Sequence, residues 1–152
     1  MVDSLSIGIV TPTISRAGGG IFPIVLSHAR ELDRSGHEVT VYGLNDDPNR
    51  LDRDQWGELS LKVYNPGPFG YSSALAADIV DSNHQIIHQH GLWMYLSIAV
   101  TRWRNRTGRP VVISTQGMLE PWARSNSAWK KYIAGALFEK RNVQSASAIH
   151  CS

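Results

Sequence analysis

Three short stretches of the sequence combine residue types that could do chemistry. The first is Gly18-Gly19-Gly20, just ahead of a run with helical periodicity. Glycine lets a backbone approach a ligand closely, and a helix start offers unpaired N–H groups to an anion. A phosphate or diphosphate is the natural guest, although a plain flexible turn would use the same triplet. Two familiar phosphate motifs are absent. Gly18 and Gly20 match the first two glycines of G-x-G-x-x-G, but Pro23 takes the third position, and there is no Gly-Lys-Ser/Thr ending. The second stretch is His88-Gln89-His90-Gly91-Leu92-Trp93. A period of two puts His88 and His90 on one side of a strand. As a metal site the two histidines lack an obvious third ligand, so no metal is expected. His88 reads as a core histidine, and His90, nearer the strand end, as the functional one.

The third stretch runs from Ser114 through Gln116, Gly117, Met118 and Pro121 to Trp122 and Ala123. Pro121 suits the first turn of a helix. Met118 and Trp122 would form an apolar lip, as a simple packing loop also would. Two basic groups complete the inventory. Arg102, Arg104, Arg106 and Arg109 gather at one helix end, where cations favour the helix dipole. Lys130, Lys131, Lys140 and Arg141 lie with Trp129 and Tyr132 on the last helix. Such faces are usually solvated; contact with an anionic membrane surface is the other use.

The elements that must position these residues alternate. Leu5–Thr11 and Glu38–Gly43 are short β-branched runs that suit buried strands. Between them lie a loop, Pro12–Gly20, and a helix with Ile21, Ile24, Val25, His28, Ala29 and Leu32 on one face and Gly36 as its stop. Residues 45–57 read as a polar loop. Further strands fall at Leu59–Tyr64, Ile86–Gln89, Val111–Ser114 and Ala148–Cys151, with helices from Ser73 to Asn83, Met94 to Thr107 and Ser127 to Gln144. This alternation predicts an α/β fold, an open, parallel, Rossmann-like sheet of order 3-2-1-4-5-6 with helices on both faces. Ligands in such sheets bind beyond the carboxyl ends of the strands, where the winding reverses between strands one and four. That places Pro12–Gly20 beside His90–Trp93.

Composition bounds the rest. At 152 residues the chain fits one domain, and 18% charged residues lie below the usual ~25%. Disorder, collagen and coiled coil are excluded. A net charge of +2 is too small to suggest nucleic acid as a partner. Cys151 is the single cysteine, which fits a reducing compartment. No basic n-region precedes an apolar stretch, and no apolar run nears the ~18 residues of a spanning helix. A cytoplasmic location is expected, with peripheral attachment to the inner membrane face as an option.

Taken in order, the strand IGIVTP followed by GGG, then HARELDRSGHEVTVYG, IIHQHGLWMYLSIAV and STQGMLEPWARSNSAWKKYIAGALFEKRNV resemble the N-terminal domain of a glycosyltransferase family 4 enzyme of the GT-B fold. The resemblance covers almost the whole chain. It implies metal-independent transfer of a sugar from a nucleotide-diphosphate donor, with retention at the anomeric carbon. It implies no cofactor beyond the nucleotide sugar as co-substrate, and a glycan or lipid-linked acceptor. Such enzymes have two Rossmann-like domains facing a cleft. The N-terminal domain mainly holds the acceptor, and the C-terminal one grips the donor with basic residues and a pair of glutamates.

By this resemblance Gly18, Gly19 and Gly20 match the loop that approaches the donor diphosphate. His90 and Gln116 take the catalytic positions, and Gly91, Trp93, Gly117, Met118 and Trp122 line the acceptor cleft. Gln116 departs from the family's common histidine. It can hydrogen-bond but cannot act as a general base, so positioning is the role left to it. Residues 1–152 would form the N-terminal domain alone. The end at Ser152 resembles a cut end, so activity is expected to need the C-terminal half, supplied by a longer or a separate chain. The alternative is a non-catalytic module of the same fold that binds a glycan or a protein. A nucleotide- or flavin-binding protein is a weaker third reading, because its fingerprint is absent.

Overall fold

Runs of β-branched residues alternate with amphipathic helices, and in the computed structural model each run becomes one strand of a single sheet. The structure describes residues 3–46, 52–118 and 138–151. The strands are β1 (Ser6–Thr11), β2 (Glu38–Leu44), β3 (Ser60–Tyr64), β4 (Ile86–His90), β5 (Val111–Ser114) and β6 (Ala148–His150). The helices are α1 (Ile21–Arg34), α2 (Ser73–Val80), α3 (Tyr95–Thr107) and α4 (Lys140–Ser145). All pairings are parallel and the order is β3-β2-β1-β4-β5-β6, as the alternation predicts.

The two-residue period of the strands divides the core between the faces. Ile7 and Ile9 of β1 and Val39 and Val41 of β2 pack with Phe22, Val25, Leu26 and Ala29 of α1. Val10, Tyr42, Leu44, Ile87, Val111 and Ile113 point the other way, onto Leu75 and Ile79 of α2 and Leu96, Val100 and Trp103 of α3. On β4 the same period sends Ile87 and Gln89 to the α2/α3 face and His88 and His90 to the α1 face. Polar side chains thus occupy the part of the α1 face where β1 and β2 carry isoleucine and valine.

Several boundaries differ from the sequence expectation for local reasons. Ser72, not Ser73, caps α2: its backbone is extended, and its hydroxyl accepts from the Leu75 N–H at 3.2 Å. That helix ends at Val80 because the Ser82 hydroxyl turns back onto the Ile79 carbonyl at 2.7 Å. Ile24, expected inward, is 43% exposed, and Phe22 is buried in its place. Phe22 is drawn in by Trp56, whose ring it meets edge-on at 5.9 Å. Trp56 lies in the expected polar loop, on a single 3-10 turn (Arg53–Trp56). Its indole N–H donates to the Ile14 carbonyl at 3.0 Å. The α3 stop is as expected, with Gly108 in left-handed conformation. Of the expected last helix, the part before residue 138 lies outside the described residues, as does Trp122. None of the described helices is long and apolar enough to cross a membrane.

Candidate active site

The loop leaving β1 is fixed on its inner side and open on its outer side. Asp46 accepts from the Thr13 hydroxyl and from the Ile14 N–H at 2.9 Å. Asp52 accepts from the Arg16 backbone N–H at 2.9 Å and its guanidinium Nε at 2.8 Å. Those bonds hold the Asp52 carboxyl below its ordinary value, the backbone bond contributing most. The Ser15 hydroxyl caps the short turn Arg16–Gly18. Gly19 then takes φ 65 and ψ −135, a conformation open to glycine and strained for other residues. Gly20 is already helical at φ −64 and ψ −19. Among the described residues, apart from its chain neighbours and the helix's own backbone, no atom lies within 4 Å of where a Cβ would stand on Gly19 or Gly20. Pro23 falls in the first turn of α1, where its missing N–H removes no helical bond. The Gly18 and Gly19 N–H groups are spent on the Ser15 and Arg16 carbonyls at 3.1 and 3.0 Å, so the donors left for an anion are those of the first turn of α1.

Three loops meet at Gly91. A Cβ there would stand 3.4 Å from Pro12 Cγ, of the β1 loop, and 3.4 Å from Met118 Cε, of the β5 loop. The Leu92 N–H donates to the Met118 sulfur at 3.1 Å. Gly91 has φ 79, Trp93 φ 68, Gln116 φ 53 and Gly117 φ 67, so the β4 and β5 loops both turn through left-handed backbone. For Trp93 and Gln116 this geometry costs energy that the surrounding contacts must hold. Beside the turn, the Gln116 amide meets His90 Nδ1 at 2.9 Å. The two expected catalytic residues are therefore a bonded pair. Trp93, expected to line the cleft, is half-buried against the α2/α3 core and acts at least as much as an anchor.

Three histidines on the α1 face, His28, His88 and His90, are held below the ordinary imidazole value. Burial, with smaller contributions from neighbouring histidines, pushes His90 down to about 2 and His88 down to about 4. Burial, and then His150, lowers His28. An imidazole so held is a poor proton acceptor at neutral pH. His90 is 2% exposed and bonded to Gln116, so neither residue is placed to carry a proton to or from a ligand.

Sequence reasoning missed two groups of residues. His28 lies against His88 at a ring-centroid distance of 4.7 Å and against His90 at 5.7 Å. Its place on the inward stripe of α1 was the available signal. The second group is a buried polar network behind the His-Gly-Leu-Trp turn. Glu139, 1% exposed, accepts from the Trp93 N–H at 2.7 Å, the Ser97 hydroxyl at 2.9 Å and the Asn142 amide at 2.8 Å. Gln89 joins it, donating to Ser97 Oγ at 2.9 Å and to the Gly91 carbonyl at 2.9 Å. Nothing local in the sequence marks a carboxylate 46 residues from the turn it holds.

A parallel doubly wound sheet, with the β1 and β4 loops in contact through Pro12 and Gly91 where the winding reverses, defines a Rossmann-like α/β domain. The family model for a glycosyl transferase 4-like domain matches residues 19–152, and the chain belongs to that family. No curated protein matches the chain. Among solved structures, a homoserine dehydrogenase from S. aureus aligns at 13% identity and TM-score 0.44, over 99% of this chain and 33% of that one. The chain thus spans about a third of that enzyme's length. A protein of unknown function from Vibrio parahaemolyticus aligns at 13% identity and TM-score 0.48, over 99% of this chain and 94% of that one. Neither likeness bears on activity.

Proposed function

We propose that this domain is the acceptor-side half of a retaining glycosyltransferase. It would work opposite a nucleotide-sugar domain and pass a hexose to a glycan or lipid-linked acceptor. The observation that supports this most is the meeting of the β1, β4 and β5 loops at Gly91, which puts the Gly18–Gly20 backbone and the His90–Gln116 pair at one end of the sheet. As the glycosidic bond breaks, negative charge gathers on the leaving diphosphate. Backbone N–H groups at the start of α1 would stabilise it without reorganising. Gln116, held in place by His90, would position the acceptor or the reacting sugar. The β1 loop carries one cation, Arg16, whose guanidinium is engaged by Asp52. A diphosphate would therefore meet backbone dipoles here and its main countercharge on the opposite domain.

Gly20→Asp separates this role from a structural one. Gly20 has ordinary helical backbone and free space around it, so the new side chain fits without strain. A carboxylate at a helix N-terminus stabilises by about 0.3–1 kcal/mol. Against a diphosphate it repels by about 1–4 kcal/mol at 4 Å, depending on the local dielectric. The expected result is a thermal midpoint at or above wild type, with the donor KM raised roughly tenfold or more in the complete two-domain enzyme. Unchanged donor KM would remove the loop from the donor site. Absence of transfer from a panel of nucleotide sugars by the complete wild-type protein would leave a non-catalytic binding module as the surviving reading.

A further inference from the structure

We propose that His28, His88 and His90 form a binding site for a divalent transition-metal ion of the zinc class, on the α1 face of the sheet. One ring nitrogen from each histidine lies within 4.8 Å of the others. Two independent elements supply them. α1 carries His28 two turns behind the glycine loop, and the period of two puts His88 and His90 side by side on β4. The His88 and His90 rings stack at 4.3 Å with 25° between planes.

His90 carries the strongest indication. It is 2% exposed, and its Nε2 is buried with no hydrogen-bond partner among the described residues. Burying such a group without a partner costs free energy that a ligand would return. Its other nitrogen, Nδ1, is occupied by the Gln116 amide at 2.9 Å. The free nitrogen is therefore the one on the side away from Gln116. An amide can present either end to a ring nitrogen. Turned to offer its oxygen, Gln116 would accept from Nδ1–H, the arrangement that fixes the tautomer of a metal-binding imidazole. On His88, Nε2 meets Ser114 Oγ at 2.7 Å, which gives that ring an outer partner too.

The cluster opens into a cavity of about 760 Å³, lined also by Ser27, Glu31, Ser114 and His150. An ion and its water can therefore enter. Neutral imidazole is the ligand form, and three imidazoles suit Zn²⁺ or Cu²⁺ better than Mg²⁺ or Ca²⁺. Zn–N bonds of about 2.0–2.1 Å bring tetrahedral ligand nitrogens to about 3.3 Å from one another. The three nitrogens, within 4.8 Å of one another, would draw closer on binding, and His28 is only half-buried. The ion would tie α1 to β4. This goes beyond the transferase reading and does not rest on it.

The test is titration of the untagged full chain with ZnCl2, together with Co²⁺ absorption spectroscopy. One Zn²⁺ per chain is expected, with a visible Co²⁺ band that Zn²⁺ abolishes and a thermal midpoint that rises with Zn²⁺. His28→Ala should weaken binding by more than the roughly 10–100-fold that loss of an outer-shell partner costs. His37→Ala, on a histidine outside the cavity, should bind like wild type. Should His28→Ala not fold, ring-resolved NMR of the wild-type histidines decides: the resonances of His28, His88 and His90 move with Zn²⁺ and that of His37 does not. Absence of saturable binding, equal binding by a folded His28→Ala, or shifts confined to other histidines would each overturn the site.

Discussion

Gly18→Ala is expected to destabilise the domain and reshape the β1 loop, whereas Ala at Gly20, two residues on, is expected to do neither. A Cβ on Gly18 would stand 2.0 Å from Thr13 Oγ1, 2.3 Å from Thr13 Cβ and 2.5 Å from Thr13 Cγ2. No rotation of Thr13 relieves all three overlaps, because its own Cβ is among them. Nor is Thr13 free to withdraw. It is 3% exposed, and its hydroxyl is bonded to Asp46 and to the Ser15 carbonyl. Overlap in a packed site costs about 1–3 kcal/mol, or a fall of roughly 2–10 °C in thermal midpoint for a domain of this size. Gly20 is the N-cap of α1, with helical backbone and open space among the described residues. The gain of about 0.4–1 kcal/mol from a stiffer unfolded chain is set against the N-cap's preference for Gly over Ala, so the midpoint should stay close to wild type. Paired melting curves check both at once. Equal midpoints for the two variants would mean that the loop is not pinned through Thr13.

This contrast shows which features were legible in the sequence. The glycine triplet is visible as a motif, but its three members differ: Gly18 is required by Thr13, Gly19 by its dihedral angles, and Gly20 by neither. Strand order was legible because it follows from alternation and crossover handedness, which are local patterns. So was the meeting of the β1 and β4 loops, now seen as the contact between Pro12 and Gly91. Features that depend on distant partners were not. Trp56 sits in a polar stretch and becomes core only because Ile14 offers it a carbonyl and Phe22 an edge. His28 lies 60 residues from His88, and the sequence pairs neither with the other. Yet α1 follows β1, and β1 neighbours β4, so the topology already carried that adjacency. The expectation that the two strand histidines lack a third partner stopped at the strand and did not follow the fold across to the helix.

Glu139→Ala is the other substitution expected to act strongly, and it joins the turn, the network and pH. The carboxylate is the acceptor for the Trp93 N–H, the Ser97 hydroxyl and the Asn142 amide, all inside the protein. Ser97 and Asn142 keep some company, since both also bond Gln89. The Trp93 N–H has no alternative acceptor among the described residues, and Trp93 sits at φ 68. At about 1–3 kcal/mol for each buried donor left without a partner, the loss should reach about 2–5 kcal/mol. The His-Gly-Leu-Trp turn should loosen first. Hydrogen exchange at Trp93 would rise by more than that at Trp103, whose indole bonds elsewhere, to the Ser82 carbonyl. Glu139→Gln, which keeps one acceptor, should lose less. Burial raises the Glu139 carboxyl above its ordinary value and outweighs the hydrogen bonds from Asn142, Trp93 and Ser97 that lower it. A folded-state value above the unfolded one means that its stabilising contribution is complete below the unfolded carboxyl range, about pH 4. That contribution is lost as pH rises through the folded value. The stability gap between wild type and Glu139→Gln should therefore narrow as pH rises from about 4 towards 7, by urea unfolding at a series of pH values. A gap that widens over that range would show that the donors, not burial, govern the carboxyl. Its charge would then be what holds the turn.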